Sequence, residues 1–341
     1  MSLSPWEIPL YNPVVITVSP SQGDTGINDT AISTEGLVKN YGAFPAVCGI
    51  DLEIPRGEIF AFIGPNGAGK TTTLNMLATI LEPTFGKAFI EGTDVWDDPV
   101  ATRLKIGFMP DFFQVYRPLT VWEFLAYFGM AHGLGGSELR RRVEEVIVLI
   151  GLTDKRDKLC KGLSRGMVQR LGLGRAILHK PPVLLLDEPA SGLDPLARMN
   201  LFSVLKQVNQ QGTTIVISSH ILSELSDLCT SVGIMHEGRF LAVGSRDEIL
   251  RRISPKRKIS IEVVGDADAA GRILADFPDV SCVEACQSRL TFMFEADNEA
   301  LAGINGSLVQ AGVQVATISE EQTTLSELYL SIAEGEANAS A

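Results

Sequence analysis

Apolar and polar positions along this chain follow two different rhythms. From Glu35 to about Leu250, short apolar runs alternate with helical patterns, as expected of an α/β domain with a parallel sheet. Ile59–Ile63 and Val183–Leu186 are unbroken apolar runs, which fits strands buried on both faces. Leu74–Leu81 reads as a helix behind the first of these, and Thr213–Ser218 as a β-branched strand. A helix beginning at Ser164 is predicted to run to Lys180, where Pro181-Pro182 stops it.

Beyond Leu250 the rhythm changes. Arg251–Lys258 is a basic stretch around Pro255 and reads as a hinge or a contact for anionic lipid. Strand patterns at Lys258–Val264, Val280–Cys286, Leu290–Glu295 and Val313–Ile318 then surround helix patterns at Ala267–Phe277 and Asn298–Gln310. That β-α-β-β-α-β order predicts a small split-βαβ sandwich. At the other end, prolines 5, 9, 13 and 20 suggest an extended arm. The expected organisation is an arm over 1–32, a main domain over 33–250, a basic linker over 251–257 and a small α+β domain over 258–341.

Composition narrows the classes. A chain of 341 residues with 45% hydrophobic and 21% charged side chains is an ordinary globular protein, not a disordered or collagenous one. The 29 basic and 41 acidic residues give a net charge of −12, which argues against nucleic acid as a partner. No apolar stretch approaches the roughly 20 residues that span a bilayer. No Lys or Arg precedes Lys39, and the five cysteines are scattered, so a reducing, cytoplasmic location is expected. Cys282 and Cys286 read as packing residues on one strand face.

The candidate chemistry lies at strand ends. Gly64-Pro65-Asn66-Gly67-Ala68-Gly69-Lys70-Thr71-Thr72 follows one buried strand and opens a helix, the context a phosphate-binding loop requires. Its backbone N–H groups and helix N-terminus suit phosphate oxygens, Lys70 supplies a point charge, and Thr71 offers a hydroxyl to Mg²⁺. Asp187 and Glu188 follow Val183–Leu186, where acids emerge at the C-terminal end of a parallel strand. Asp187 is the candidate Mg²⁺ ligand. Glu188 is the candidate for orienting or deprotonating an attacking water.

Leu163-Ser164-Arg165-Gly166-Met167-Val168-Gln169-Arg170 lies between these motifs and resembles the signature of the ATP-binding-cassette (ABC) ATPases. Ser191-Gly192-Leu193-Asp194, His220 and Tyr41 also resemble that family's subunit-contact loop, switch histidine and adenine-stacking aromatic. The resemblance covers about residues 33–250. It implies a RecA-like P-loop cassette with a helical subdomain at roughly 112–175, binding ATP with Mg²⁺. Lys70, Glu188 and His220 would be catalytic, while Ser164, Gly166 and Asp194 would meet the nucleotide of a second, head-to-tail subunit. The expected partners are that second copy and an integral-membrane permease, with export favoured over import and over a soluble role at ribosomes or DNA. The chain would then sit on the inner face of the cell membrane.

The sequence departs from the family pattern in two places. Asp111 stands where a Gln is common, with Gln114 three residues on; Asp111 is expected to take the metal-side role because a carboxylate can hold Mg²⁺ or its water. Arg165 and Met167 replace commoner Gly and Gln. Phe112, Phe113 and Tyr116 either line a groove for the permease or belong to the core.

Overall fold

The computed structural model describes residues 30–221, 225, 228–245, 249, 257–265 and 267–320. Most of the expected N-terminal arm, residues 251–256 of the basic linker and the tail from 321 lie outside these. The chain divides into two compact units, Met1–Arg246 and Asp247–Ala341. Among the described residues no helix is long and apolar enough to cross a membrane.

The first unit contains two sheets. Strands β1 (Thr30–Tyr41), β2 (Phe44–Pro55), β4 (Phe85–Ile90) and β5 (Thr93–Asp94) form an antiparallel sheet in the order β2-β1-β4-β5. Residues 30–32, assigned to the arm from sequence, are the first residues of β1. The second sheet has the order β10-β9-β3-β8-β7-β6, from β3 (Ile59–Ile63), β6 (Ile106–Met109), β7 (Val183–Leu186), β8 (Thr214–Ser219), β9 (Ser231–His236) and β10 (Arg239–Ser245). Its pairs are parallel except for the β9–β10 hairpin. Every residue of β3, β7 and β8 is buried; β3 and β7 accordingly read as unbroken apolar runs, while β8 buries Thr214, Ser218 and Ser219 as well. One apolar cluster joins the two sheets, with Ile32, Leu37 and Val47 packed among Phe60, Phe62, Val183 and Leu185.

Helices α1 (Lys70–Leu77) and α2 (Pro99–Lys105) follow β3 and β5. The helical subdomain comprises α3 (Val121–Ala131), α4 (Gly136–Leu149) and α5 (Arg165–Ile177), and α6 (Pro195–Gln210) follows β7. A capping box fixes the start of α3: the Thr120 hydroxyl accepts from the Glu123 N–H, and the Glu123 carboxylate accepts from the Thr120 N–H. Helix α5 ends at Ile177, three residues before the predicted Lys180. The residue before a proline disfavours helical backbone, and Lys180 takes a φ of 54° instead.

The second unit has strands β11 (Arg257–Val264), β12 (Val280–Cys286), β13 (Arg289–Phe294) and β14 (Gln314–Glu320), ordered β12-β13-β11-β14 and antiparallel throughout. Helices α7 (Ala267–Leu274) and α8 (Asn298–Gln310) complete it. Ile259, Ile261, Phe292 and Phe294 pack with Leu274, Ile304 and Leu308 as its core. Cys282 and Cys286 are exposed, contrary to the packing role expected of them. A bulge between Ser281 and Glu284, with Cys282 at a φ of 51°, breaks the two-residue alternation that the expectation used.

Candidate functional site

The sheet order brings the C-terminal ends of β3, β8 and β7 side by side, and the chemistry gathers there. Gly64 leaves β3 against the backbone of β9: a Cβ on Gly64 would stand 2.2 Å from the Met235 carbonyl, so only glycine fits. The Gly64 N–H donates to the Ser219 carbonyl at 3.3 Å, fixing the loop on β8. Pro65, Asn66 and Gly67 form an exposed rim, whereas Ala68 is buried. Gly69, at a φ of 102°, is the N-cap of α1 and brings no side chain to cap it. Helix N-terminal N–H groups without a cap, on a glycine-rich loop, suit an anion.

Lys70 is buried and curls back over the loop. Its Nζ donates to the carbonyls of Gly64 at 2.7 Å and Pro65 at 3.1 Å, and lies 3.6 Å from Glu188 Oε1. Burial pulls its pKa down, and the charges of Glu188 and Asp187 oppose that pull. The ammonium is thus held by two backbone carbonyls, with the carboxylates of Glu188 and Asp187 acting on it.

Asp187 is 2% exposed at the end of β7. Its Oδ1 accepts from the Ser218 hydroxyl at 2.6 Å, and its carboxylate also accepts from the Thr71 hydroxyl. Burial raises its pKa, and the charges of Asp111 and Glu188 push the same way. A buried carboxylate beside other acids and a threonine hydroxyl fits a divalent cation, with Thr71 and Asp187 as the residues to hold it. Asp111 comes within electrostatic reach because the Asp187 N–H donates to the Met109 carbonyl at 2.9 Å, aligning the ends of β6 and β7. Asp111 and Gln114 are both exposed.

Glu188 takes a φ of 46°, a left-handed conformation rare for a side chain of this kind. Its N–H donates to Ser218 Oγ at 2.8 Å, and its Oε2 meets His220 Nδ1 at 2.9 Å. Its Oε1 is buried without a hydrogen bond and faces only Lys70. One carboxylate oxygen is therefore oriented by histidine while the other stays available.

Ser218 was not singled out from sequence, yet its hydroxyl donates to Asp187 and accepts from the Glu188 backbone. The available signal was a Ser-Ser pair closing a wholly buried strand beside two acids. The other predicted residues lie apart from this cluster. Ser164 caps α5, its Oγ accepting from the Met167 N–H at 3.4 Å. Gly166 packs on Leu193 and Ala197, and the Asp194 carboxylate caps α6 through the Ala197 N–H at 2.8 Å. Tyr41 is half exposed at the β1–β2 hairpin, paired with Phe44, while Ala46 on the same hairpin reaches the loop: its carbonyl lies 2.6 Å from where a Gly69 Cβ would stand. Of the aromatic trio, Phe113 packs on Phe124 and under the Arg175 guanidinium, whereas Phe112 and Tyr116 are exposed.

Comparison with known proteins shows the family. A family profile described as "ABC transporter" matches residues 47–191. The daunorubicin resistance ATP-binding protein DrrA3 of Streptomyces coeruleorubidus is 33% identical over 89% of this chain and 95% of its own length. The bacitracin transport ATP-binding protein BcrA of Enterococcus faecalis is 31% identical over 89% of this chain and 96% of its own. The solved structure of an ATP binding subunit of an ABC transporter superposes with a TM-score of 0.60 at 33% identity, covering 65% of this chain and 93% of that one. A phosphate loop, the buried Asp187 and a Glu188 oriented by His220, together with relatives matched nearly end to end, place this chain among the ATP-hydrolysing ATP-binding subunits of ABC transporters.

Proposed function

We propose that this chain works as one half of a head-to-tail pair of ATPase subunits that powers export through a separate integral-membrane permease. The observation that carries the pairing is the split of the expected site. Lys70, Thr71, Asp187, Glu188 and His220 gather at one place, while Ser164 and Gly166 stand at the start of α5, with Gly166 against Ala197 of the helix that Asp194 caps. A second copy, turned head to tail, would bring its Ser164 to the open side of the phosphate loop, with Tyr41 of the first copy beside the adenine.

Within one site, Lys70 would leave the Gly64 and Pro65 carbonyls for the phosphates. Thr71 and Asp187 would hold Mg²⁺, with Asp111 nearby, and such a cation would supply charge that neutralises the phosphates. Glu188, oriented by His220, would align the attacking water and take its proton. Support for export comes from the relatives, which are named for antibiotic resistance or transport and are matched across the C-terminal unit as well. Exposed Phe112 and Tyr116 offer an apolar contact for a permease, which would hold the subunit on the inner face of the membrane.

The test is affinity capture of the tagged full-length chain from detergent-solubilised native membranes. Recovery of one polytopic membrane protein supports the reading. Recovery with ribosomes or DNA, and no membrane protein, overturns it.

A further inference from the structure

The start of α5 is tied to the loop that leaves Glu188 by one side chain. Arg165 Nη2 donates to the Ser191 carbonyl at 2.8 Å. The same guanidinium covers the next residue: a Cβ on Gly192 would stand 2.5 to 2.7 Å from Arg165 Nη1, Cζ and Nη2. Gly192 has a φ of 65°, so the absence of a side chain there serves both the turn and the arginine. Gly166 adds a second contact, since a Cβ there would meet Ala197 Cβ at 3.1 Å.

From Ser191 the link continues to the catalytic carboxylate. The Ser191 N–H donates to the Glu188 carbonyl at 3.0 Å, closing a turn on the residue whose backbone is already left-handed. On the other side of Arg165 stands Ser164, exposed at the N-cap. A short path therefore runs from Ser164 through Arg165, Ser191 and Glu188 to His220. Arginine suits this place because a planar fork can donate to a carbonyl and cover a flat backbone segment at once, and hydrogen bonds from a charged donor are roughly twice as strong as neutral ones.

We propose that Arg165 is a positioning residue that couples the two ATP sites of the pair. It ties the helix start with which one subunit meets its partner's nucleotide to the loop that sets its own Glu188. The proposal rests on the head-to-tail pair argued above. Arg165 touches neither the phosphate loop nor Glu188 directly, so its effect is expected on turnover and cooperativity, not on binding of nucleotide to one subunit.

The experiment compares the full-length wild type with Arg165→Ala, Arg165→Lys and Gly192→Ala. It measures ATP turnover against ATP concentration and the affinity for a fluorescent ATP analogue. The wild type should show a Hill coefficient near 2, and Arg165→Ala one near 1, with kcat lowered by about tenfold. Analogue affinity should stay within about twofold, and the unfolding temperature should barely move, because Arg165 is a surface residue. Gly192→Ala, which displaces the guanidinium, should behave like Arg165→Ala. Arg165→Lys should recover part of the turnover, since lysine keeps the donor and loses the planar cover.

A cooperative wild type whose Arg165→Ala and Gly192→Ala variants keep its Hill coefficient and kcat overturns the coupling role alone. A wild type with a Hill coefficient of 1, together with a Glu188→Gln variant that stays single in ATP, overturns the two-subunit reading and the coupling with it.

Discussion

Residues 30–245 bury Lys70, Asp187, Ser218 and Ser219 at the ends of neighbouring strands, whereas residues 257–320 bury a single polar side chain among those described, Ser260. Ser260 is satisfied at once, accepting from Arg289 Nε at 2.7 Å. Lys70 and Asp187 are different. Each has its pKa pushed toward the neutral form by burial; Lys70 is held by backbone carbonyls with Glu188 3.6 Å away, and Asp187 by the hydroxyls of Ser218 and Thr71. Both units are sheets packed with helices over an apolar core, so packing does not separate them. What separates them is that the first tolerates charges in a dry place, which costs stability unless a ligand repays it. The second has no such arrangement among its described residues and reads as a unit built for packing.

Substitution at Glu188 should sharpen that contrast most. Glu188→Gln is expected to lower ATP turnover by about 10²–10³-fold while leaving ATP binding intact, measured by phosphate release and by binding of a fluorescent analogue. In the second unit, Phe292→Ala should cost about 3–5 kcal/mol, because that ring is fully enclosed. The same variant should bind ATP normally. A loss of ATP affinity in Phe292→Ala would break the division between a chemical unit and a packing unit.

Asp111→Ala should reduce Mg²⁺-dependent turnover by about tenfold, as for a residue supporting a metal's bound water, with Gln114→Ala within twofold of wild type. The reverse ranking would reassign the role to Gln114. Asp187→Asn should abolish turnover yet raise the Tm of the nucleotide-free protein by roughly 2–4 °C. The sign follows from its raised pKa: the folded site prefers the neutral carboxyl, so ionisation as pH rises costs stability, and Asn removes that cost.

The smallest effect is expected far from the chemistry. His179 is stacked on His132 with ring centroids 3.9 Å apart, and its Nε2 meets the Ile106 carbonyl at 3.1 Å. Burial first, then the charges of His132 and Arg142, bring its pKa down to about 4. Its folded pKa lies below its unfolded one, so the unfolded chain takes up the proton first and stability falls as pH drops from about 6.5 to 4. His179→Gln should remove about 2 kcal/mol of that pH dependence, read from urea unfolding at pH 7 and pH 4.5.

The parts of the structure that follow local periodicity were legible in the sequence. Val183–Leu186 is apolar without alternation because it is covered on both faces, and the acids after it could be placed at a sheet's C-terminal end for the same reason. The phosphate loop was legible because its glycines, lysine and threonine answer a backbone need at fixed spacing. Contacts between segments were not. Ser218 looks like any strand residue until β8 is set beside β7, and Arg165 reaches a loop 26 residues away. Cys282 and Cys286 were misplaced because a bulge changes the count within β12. The end of α5 was set by the residues ahead of Pro181, where backbone sterics stop the helix before the apolar pattern fades.

The central claim is that the ATPase site is completed by a second copy of the chain. Sedimentation of full-length Glu188→Gln in ATP with Mg²⁺, and again in ADP, tests it directly. Twice the monomer mass is expected in ATP, and the monomer in ADP. A Glu188→Gln protein that binds ATP and sediments as a monomer in both would contradict it.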